Sequence, residues 1–516
     1  MADTPRDQWK SKLGFILAAS GSAIGLGNIV FFAANAYKFG AGAFYVPYLV
    51  ALFLLGIPVM IMELGIGHRT QRAYPEAMYQ LGGIKGEWIG WFGLLNASVI
   101  TMYYITILGW VLGMWIGAFG SLWESQAVPA FGLPEGALSN SMSYFFGMIS
   151  KYETVAYVVI VWIMNAVIVW SGTKSIERAV KIFVPVMWLF MIILIFRGIT
   201  LPDGPQGILL LFTPDFEVMK DFEVWQGAFS QIFFTLSLGF GIMATYASYL
   251  PKKSDQTSNA LTISFMNCAF EYIAGLAVFA VLFAFAIVPR ASTLSMTFFV
   301  LPEGIGSFPV GVQLFGVMFF TLLLTAGLTS SVSLVEALGA GVIDKFGMDR
   351  KKVVLIVSAI GTVGSVMFAL PMVIDPSLDG NGTLGLTLLD FFDHWAFSYG
   401  LLICGLLECL LIGWVLGPEK LRESINPHSR IKLGPLFDWM IKLVIPAVIL
   451  VILGFSIASE MSKGGLYGST VETGTMQNLH VLVLAGWLVF TILGSMALTA
   501  AGGFRRNGSS QGGSDA

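Results

Sequence analysis

Twelve long apolar stretches constrain this chain more than any other feature. They run over roughly 13–37, 42–68, 88–122, 154–171, 178–199, 226–250, 258–288, 310–343, 352–373, 386–415, 434–457 and 478–502. Crossing a hydrocarbon layer takes about 20 helical residues, so each is long enough to span one, and the longer ones must tilt or kink. Within lipid every backbone N–H and C=O needs a partner inside the protein, and for stretches this long that means helices. Composition agrees: 11% of the 516 residues are charged, against about 25% in soluble domains, and the mean hydropathy is +0.79. The expected fold is an all-α membrane protein with 12 transmembrane helices. A net charge of -3 argues against a nucleic-acid partner.

The Lys/Arg distribution orients the chain. With the N-terminus inside, Lys38, Lys151, Arg197, Lys220, Arg290 and Lys463 fall outside, and the other 22 of the 28 basic residues fall inside. The expectation is a multi-pass plasma-membrane protein, of the bacterial inner-membrane kind, with both termini cytoplasmic. Its expected segments are a cytoplasmic arm (1–12), spans 1–5 (13–199), an outer loop (200–225), spans 6–10 (226–415), spans 11–12 (416–502) and a Gly/Ser-rich disordered tail (503–516). Further outer loops are expected near 120–153 and, lid-like, near 289–309. Asn381-Gly-Thr is a glycosylation sequon on another.

Cys268, Cys404 and Cys409 all fall inside spans and lack the spacing of a metal site. His68, His394, His428 and His480 form no H-E-x-x-H pattern and no Ser/Cys–His pairing. An enzyme is not expected.

Two spans carry glycine-rich middles. Span 1 contains Ala19-Ser-Gly-Ser-Ala-Ile-Gly-Leu-Gly-Asn28, and span 6 contains Thr235-Leu-Ser-Leu-Gly-Phe-Gly241. Gly21-x-x-x-Gly25 alone also fits close helix packing. Two breaks beside polar residues, each in the first span of a five-span half, point instead to a binding site at the bilayer midplane. Unwound backbone survives at that depth only where it is buried in protein or lines a cavity. There it offers carbonyls to a cation and amides to an anion.

The run Gln231-Ile-Phe-Phe-Thr-Leu-Ser-Leu-Gly-Phe-Gly241, followed by Thr245-Tyr-Ala-Ser-Tyr249, together with Gly25-Leu-Gly-Asn28, resembles the neurotransmitter:sodium symporters of the bacterial leucine-transporter type. Gly42-Ala-Phe, Tyr103-Tyr104, Ile176-Glu-Arg178, Thr213-Pro-Asp-Phe-Glu217 and Ala326-Gly-Leu-Thr-Ser-Ser331 extend the match over nearly the whole chain. The resemblance implies a five-plus-five inverted repeat with broken helices 1 and 6. It also implies sodium-coupled, alternating-access symport of a small apolar or neutral amino acid, with two sodium ions, by a monomer or homodimer in the bilayer.

Residue by residue, it implies one sodium site from Ala23, Asn28, Thr235 and Asn267, and a second from Gly21, Ile24, Ala326, Thr329 and Ser330. Ala23, Gly25, Gly27, Tyr104, Thr235 and Ser237 would hold the substrate's polar end, its carboxylate facing bare span-1 amides and the Tyr104 hydroxyl. Ile100, Phe234, Phe240, Ser330 and Leu334 would surround its side chain. Relatives for amines lacking a carboxylate tend to carry an aspartate at Gly25, so an amino acid is favoured.

Glu271 lies one helical turn after Asn267. An acid inside a span is by default a functional hypothesis. It matches the fixed acid of chloride-independent relatives, with Tyr48, Gln231, Thr235 and Ser237 as neighbours. It is expected to replace chloride, or to serve as a proton site. Arg6 and Asp344 match an inner ion pair, with Trp9 and Tyr249 beside them, and Glu63 is expected to hold broken-helix amides.

On the outer side the sequence departs from the family. Phe31-Phe32-Ala33 stands where Arg-Phe-Pro is usual, so Asp393 lacks its arginine, and His394, water or the substrate becomes its candidate partner. Phe31 and Phe240 are then expected to close the vestibule by packing. This departure keeps in view a symporter of another small zwitterion or amine (taurine-like); a non-transporting amino-acid sensor on the same fold is a separate alternative.

Overall fold

The computed structural model describes residues 7–288, 292–378, 382–463, 465 and 474–502. Arg6, Asn381 of the sequon and the 503–516 tail lie outside the described residues.

Among the described residues the regular structure is helical. Nine helices are long and apolar enough to cross a membrane unbroken, from Ala41–Thr70 to Met476–Ala500. Two further bent pairs qualify when joined. Span 1 is one of them, with Lys12–Ala23 and Leu26–Lys38 meeting at 51°. The other joins Asn140–Ile149 to Glu153–Val169 at 85°, and there the first helix belongs to the expected outer loop. Span 6 is interrupted more widely: Phe222–Thr235 and Ile242–Ala247 are separated by six non-helical residues.

Backbone chemistry explains the two breaks. At Ile24 the chain leaves helical geometry (ψ 88°), and Gly25 restarts it from an extended conformation. In span 6, Ser237, Gly239 and Gly241 all have positive φ, where glycine costs least. At Gly239 a Cβ would sit 2.9 Å from the Leu401 carbonyl, and at Gly241 it would collide with the Tyr74 ring.

Burial ranks the spans. The apolar window of span 2 is 78% buried, whereas those of spans 11 and 12 are 28% and 22% buried. Spans 2 and 3 have the most buried windows, followed by spans 7, 8 and 10, and spans 11 and 12 present most of their surface outward. Phe53, Phe196, Val363, Leu450 and Leu482 are exposed apolar side chains suited to lipid. Spans 3 and 8 pack along each other, with Gly327 leaving room for Leu108, the small-residue packing expected in lipid. The buried Lys345–Glu87 ion pair joins their ends.

The other loops are more ordered than their composition suggests. The 200–225 loop contains the helix Gly204–Leu211, and the lid-like segment contains Leu301–Gly306 after a π-helical turn.

Candidate functional site

The span-1 break opens onto three neighbouring spans. The Asn28 side-chain nitrogen donates to Thr235 Oγ1 and Asn267 Oδ1, each at 2.7 Å, while its oxygen accepts from the Gly25 amide at 2.8 Å. One end of the Asn267 carboxamide lies 3.2 Å from the Ala23 carbonyl and 3.3 Å from that of Thr235. Which end is oxygen is an assignment. With nitrogen there, it donates to both carbonyls. With oxygen there, three neutral oxygens converge beside Asn28, the arrangement a hard cation requires.

A second convergence lies one turn deeper in span 1. Thr329 Oγ1 donates to the Gly21 carbonyl at 2.7 Å and to that of Ala326 at 2.8 Å. Ser330 Oγ instead meets the Ser22 carbonyl at 2.9 Å, with Ala326 at 3.4 Å. Four of the five expected groups are thus brought together here; Ile24 lies beside them in the break and is fully buried. Ser22 was not among the expected residues. Its carbonyl accepts from both Ser330 and Ser237.

Between the two convergences is a cavity of about 40 Å³, lined by Gly25, Gly27, Tyr104, Phe240 and Leu334 among others. The Leu26 amide donates to the Tyr104 hydroxyl at 3.3 Å. A Cβ on Gly25 would stand 3.1 Å from both that hydroxyl and Ser330 Oγ, so glycine keeps the spot open. The polar end of the cavity is backbone amide and hydroxyl. Its other end is Ile100, Phe234, Phe240 and Leu334. All eleven residues expected to bind substrate line this one cavity.

Phe234 also lines an outer cavity of about 360 Å³. Its ring meets Phe31 at 6.2 Å and Phe397 at 4.2 Å between centroids, both edge-on. The expectation had Phe31 and Phe240 closing the vestibule by packing; in the structure Phe240 lines the smaller cavity and not this one, and the rings around Phe31 here are those of Phe234 and, beyond it, Phe397. Asp393 and Asp390 line the outer cavity with Tyr103, and among the described residues no Lys or Arg does. Lys38 pairs with Glu223 at 2.6 Å instead, and His394 lies against Glu460 at 3.5 Å.

Beside the Asn28 cluster, Glu271 is 1% exposed. The Tyr48 and Thr235 hydroxyls both donate to it. Gln231 accepts from Asn35 at 2.8 Å, and Ser237 turns away to Ser22. Thr235 thus touches both the oxygen cluster and the acid.

On the face that carries the N-terminal arm, side chains from several elements pack together. Trp9 Nε1 donates to the Tyr246 carbonyl at 2.9 Å, and its ring meets Tyr249 edge-on at 6.3 Å. Asp344 accepts from the Ala73 amide at 2.7 Å; its expected partner Arg6 lies outside the described residues. The structure adds a pair the sequence reading missed. Arg350 bonds Glu336 through two contacts of 2.7 Å, and Tyr249 donates to the same carboxylate. Glu336 and Glu408, which accepts from Tyr74, are acids inside spans, and that alone is the signal that would have flagged them.

The profile of the sodium:neurotransmitter symporter family matches residues 6–128 and 136–467. The chain belongs to this family. Among its relatives is an uncharacterized sodium-dependent transporter of Methanocaldococcus jannaschii, 38% identical, matching 96% of this chain and 99% of the relative. The sodium- and chloride-dependent GABA transporter 2 of Rattus norvegicus is 27% identical over 88% of this chain and 80% of its own length. Of solved structures, the crystal structure of MhsT in complex with L-phenylalanine is similar with a TM-score of 0.74 and 31% identity, covering 87% of this chain and 99% of that one. As a sodium:neurotransmitter symporter, this chain is a sodium-dependent membrane transporter and not an enzyme.

Proposed function

We propose that this symporter carries a small apolar or neutral amino acid together with two sodium ions, without chloride. The observation that carries the reading is the closed cavity whose polar end combines span-1 amides with the Tyr104 hydroxyl, next to the carbonyls of Ala23 and Thr235 and the Asn267 carboxamide. A carboxylate bound to those amides would complete the shell of the adjoining cation, so ion and substrate would bind together. Its apolar walls favour an apolar side chain, and the similar MhsT structure is a complex with L-phenylalanine. Glu271 would supply the fixed negative charge in place of chloride.

Transport would proceed by alternating access. Substrate and sodium reach the cavity through the outer vestibule, the Phe31–Phe234–Phe397 lid closes, and spans 1, 2, 6 and 7 rock against spans 3–5 and 8–10. Parting of Trp9 from Tyr246 and Tyr249 would then open the inner side, in the orientation that puts both termini in the cytoplasm.

A second reading, a zwitterion or amine with a second amino group, draws on Asp393 in a vestibule without a described cation. Uptake of labelled amino acids into proteoliposomes, with an inward sodium gradient and with potassium in its place, tests both. Concentrative, sodium-dependent uptake of an apolar amino acid is expected. If no neutral amino acid is concentrated but a diamine or taurine-like solute is, the second reading replaces the first.

A further inference from the structure

A cavity of about 450 Å³ on the N-terminal face is separate from the substrate cavity and meets the pathway described above only at Trp9. Three separate segments line it, and each brings positive charge. Lys10 and Lys12 come from the arm and the start of span 1, Lys253 from the loop between spans 6 and 7, and His428 and Arg430 from the loop between spans 10 and 11. Asp255 is its single carboxylate.

That carboxylate is already engaged. It accepts from the Ser258 amide at 2.9 Å, the Ser258 hydroxyl at 2.7 Å and the Arg430 amide at 3.0 Å. Partial burial would raise its pKa, but these hydrogen bonds win and hold it below the usual carboxylate range. It therefore stays charged, yet its oxygens point at backbone and serine.

Among the described residues, the ammonium groups of Lys10, Lys12 and Lys253 and the guanidinium of Arg430 take part in no salt bridge. Their backbones are fixed all the same. The Lys10 amide is bonded to Glu177, and Trp9, also on the cavity wall, is pinned to Tyr246 and Tyr249. All four cationic residues are exposed around one void, so water screens their mutual repulsion, and an anion between them would relieve it further. The cavity lies where span 1 begins at Lys12 and span 7 at Gln256, the depth of lipid headgroups. Basic pockets between spans on the cytoplasmic side suit such groups.

We propose that this cavity binds a phosphate-bearing anion, supplied either as the headgroup of an anionic phospholipid or as free phosphate. A phosphate there would bridge the arm to the two loops and hold Trp9 in its seat. The inference goes beyond the transport reading, and its test requires no transport.

The full-length protein in a neutral detergent is titrated with short-chain phosphatidylglycerol, short-chain phosphatidylcholine and inorganic phosphate, with binding read by native mass spectrometry and competition. Saturable phosphatidylglycerol binding is expected, weakened roughly tenfold or more in Lys12→Gln/Lys253→Gln/Arg430→Gln. It should be retained in the charge-conserving Lys253→Arg/Arg430→Lys, with melting temperatures near wild type confirming that both variants are folded. Competition by inorganic phosphate would support the proposal with free phosphate as a source; failure to compete would support it with the lipid as the source. Equal binding of phosphatidylcholine, equal binding by the neutralised variant, or binding of neither anion would overturn it.

Discussion

The Gly239 amide donates to the Glu63 carboxylate at 2.8 Å, so an acid in span 2 caps the unwound stretch of span 6. Both groups are buried, and an orphaned donor at that depth costs about 1–3 kcal/mol. Glu63→Ala should therefore lower the melting temperature clearly, and Glu63→Gln, which keeps an acceptor oxygen, should lower it less. Thermal unfolding of the purified variants checks this. Wild-type melting for both would show that the contact does not hold the break.

Gly25 adopts an extended conformation open to any residue (φ -104°), so Gly25→Ala should fold normally. Its new methyl would stand 3.1 Å from Tyr104 OH and Ser330 Oγ, inside the cavity. Overpacking of this kind costs about 1–3 kcal/mol, or roughly fivefold to a hundredfold in substrate affinity. Equilibrium binding of labelled substrate is the measurement, with unchanged melting as control. Affinity equal to wild type would move the substrate elsewhere.

Sodium activation should report the two oxygen clusters separately from the substrate. Asn28→Ala removes the group bonded to Thr235 and Asn267, and Thr329→Val removes the hydroxyl on the Gly21 and Ala326 carbonyls. Each should raise the half-maximal sodium concentration for uptake by roughly tenfold, the loss of about one hydrogen-bond-sized interaction. Lys38→Ala breaks an exposed pair with Glu223 and a contact with the Phe39 ring and should leave that midpoint alone. A shift in the surface variant, or none in the other two, would contradict the assignment of the clusters.

The sequence carried the break in span 1 because its signal is local: Gly21, Gly25 and Gly27 flank Ile24, where the helix ends. It carried Thr329 only through resemblance, since a buried hydroxyl in a helix commonly bonds its own preceding turn, as Thr325 does here. The lid was misread because Phe31, Phe234, Phe240 and Phe397 are chemically alike. Which two rings meet depends on how spans 1, 6 and 10 pack together, and no residue pattern encodes that packing. The Glu336–Arg350 pair escaped for a related reason. Its partners belong to different helices across a tight turn, and Arg350 reads from sequence as one more inner-loop cation.

Asp255 caps span 7 by accepting from the Ser258 amide. Loss of such a cap costs about 1 kcal/mol. Because its pKa is held below the ordinary 3.8, the stabilisation is fully present above that pH and disappears as the pH falls through the depressed value. Asp255→Ala should thus melt below wild type at pH 6, and the gap should narrow in strongly acidic buffer near pH 3. A gap that is constant with pH would mean that the charge contributes nothing.

Glu271 offers the sharpest separation between this chain and chloride-dependent relatives. The Tyr48 and Thr235 hydroxyls both point their protons at its carboxylate, and Thr235 also bonds Asn28, so the negative charge stands one side chain away from the proposed sodium ligands. Two hydroxyl donors aimed at one place, beside the proposed sodium ligands, favour an anion there. Glu271→Ser empties the position and leaves the donors. Chloride is then the natural occupant: wild-type uptake should be the same in chloride and gluconate, whereas the variant should work in chloride and fall at least roughly tenfold in gluconate, given that an uncompensated buried group costs a few kcal/mol. Glu271→Gln, which fills the space without a charge, should be weak in both media and still fold. Equal activity of the serine variant in the two media would show that the carboxylate is a structural acid, and the chloride-independent assignment would then have to rest on other residues.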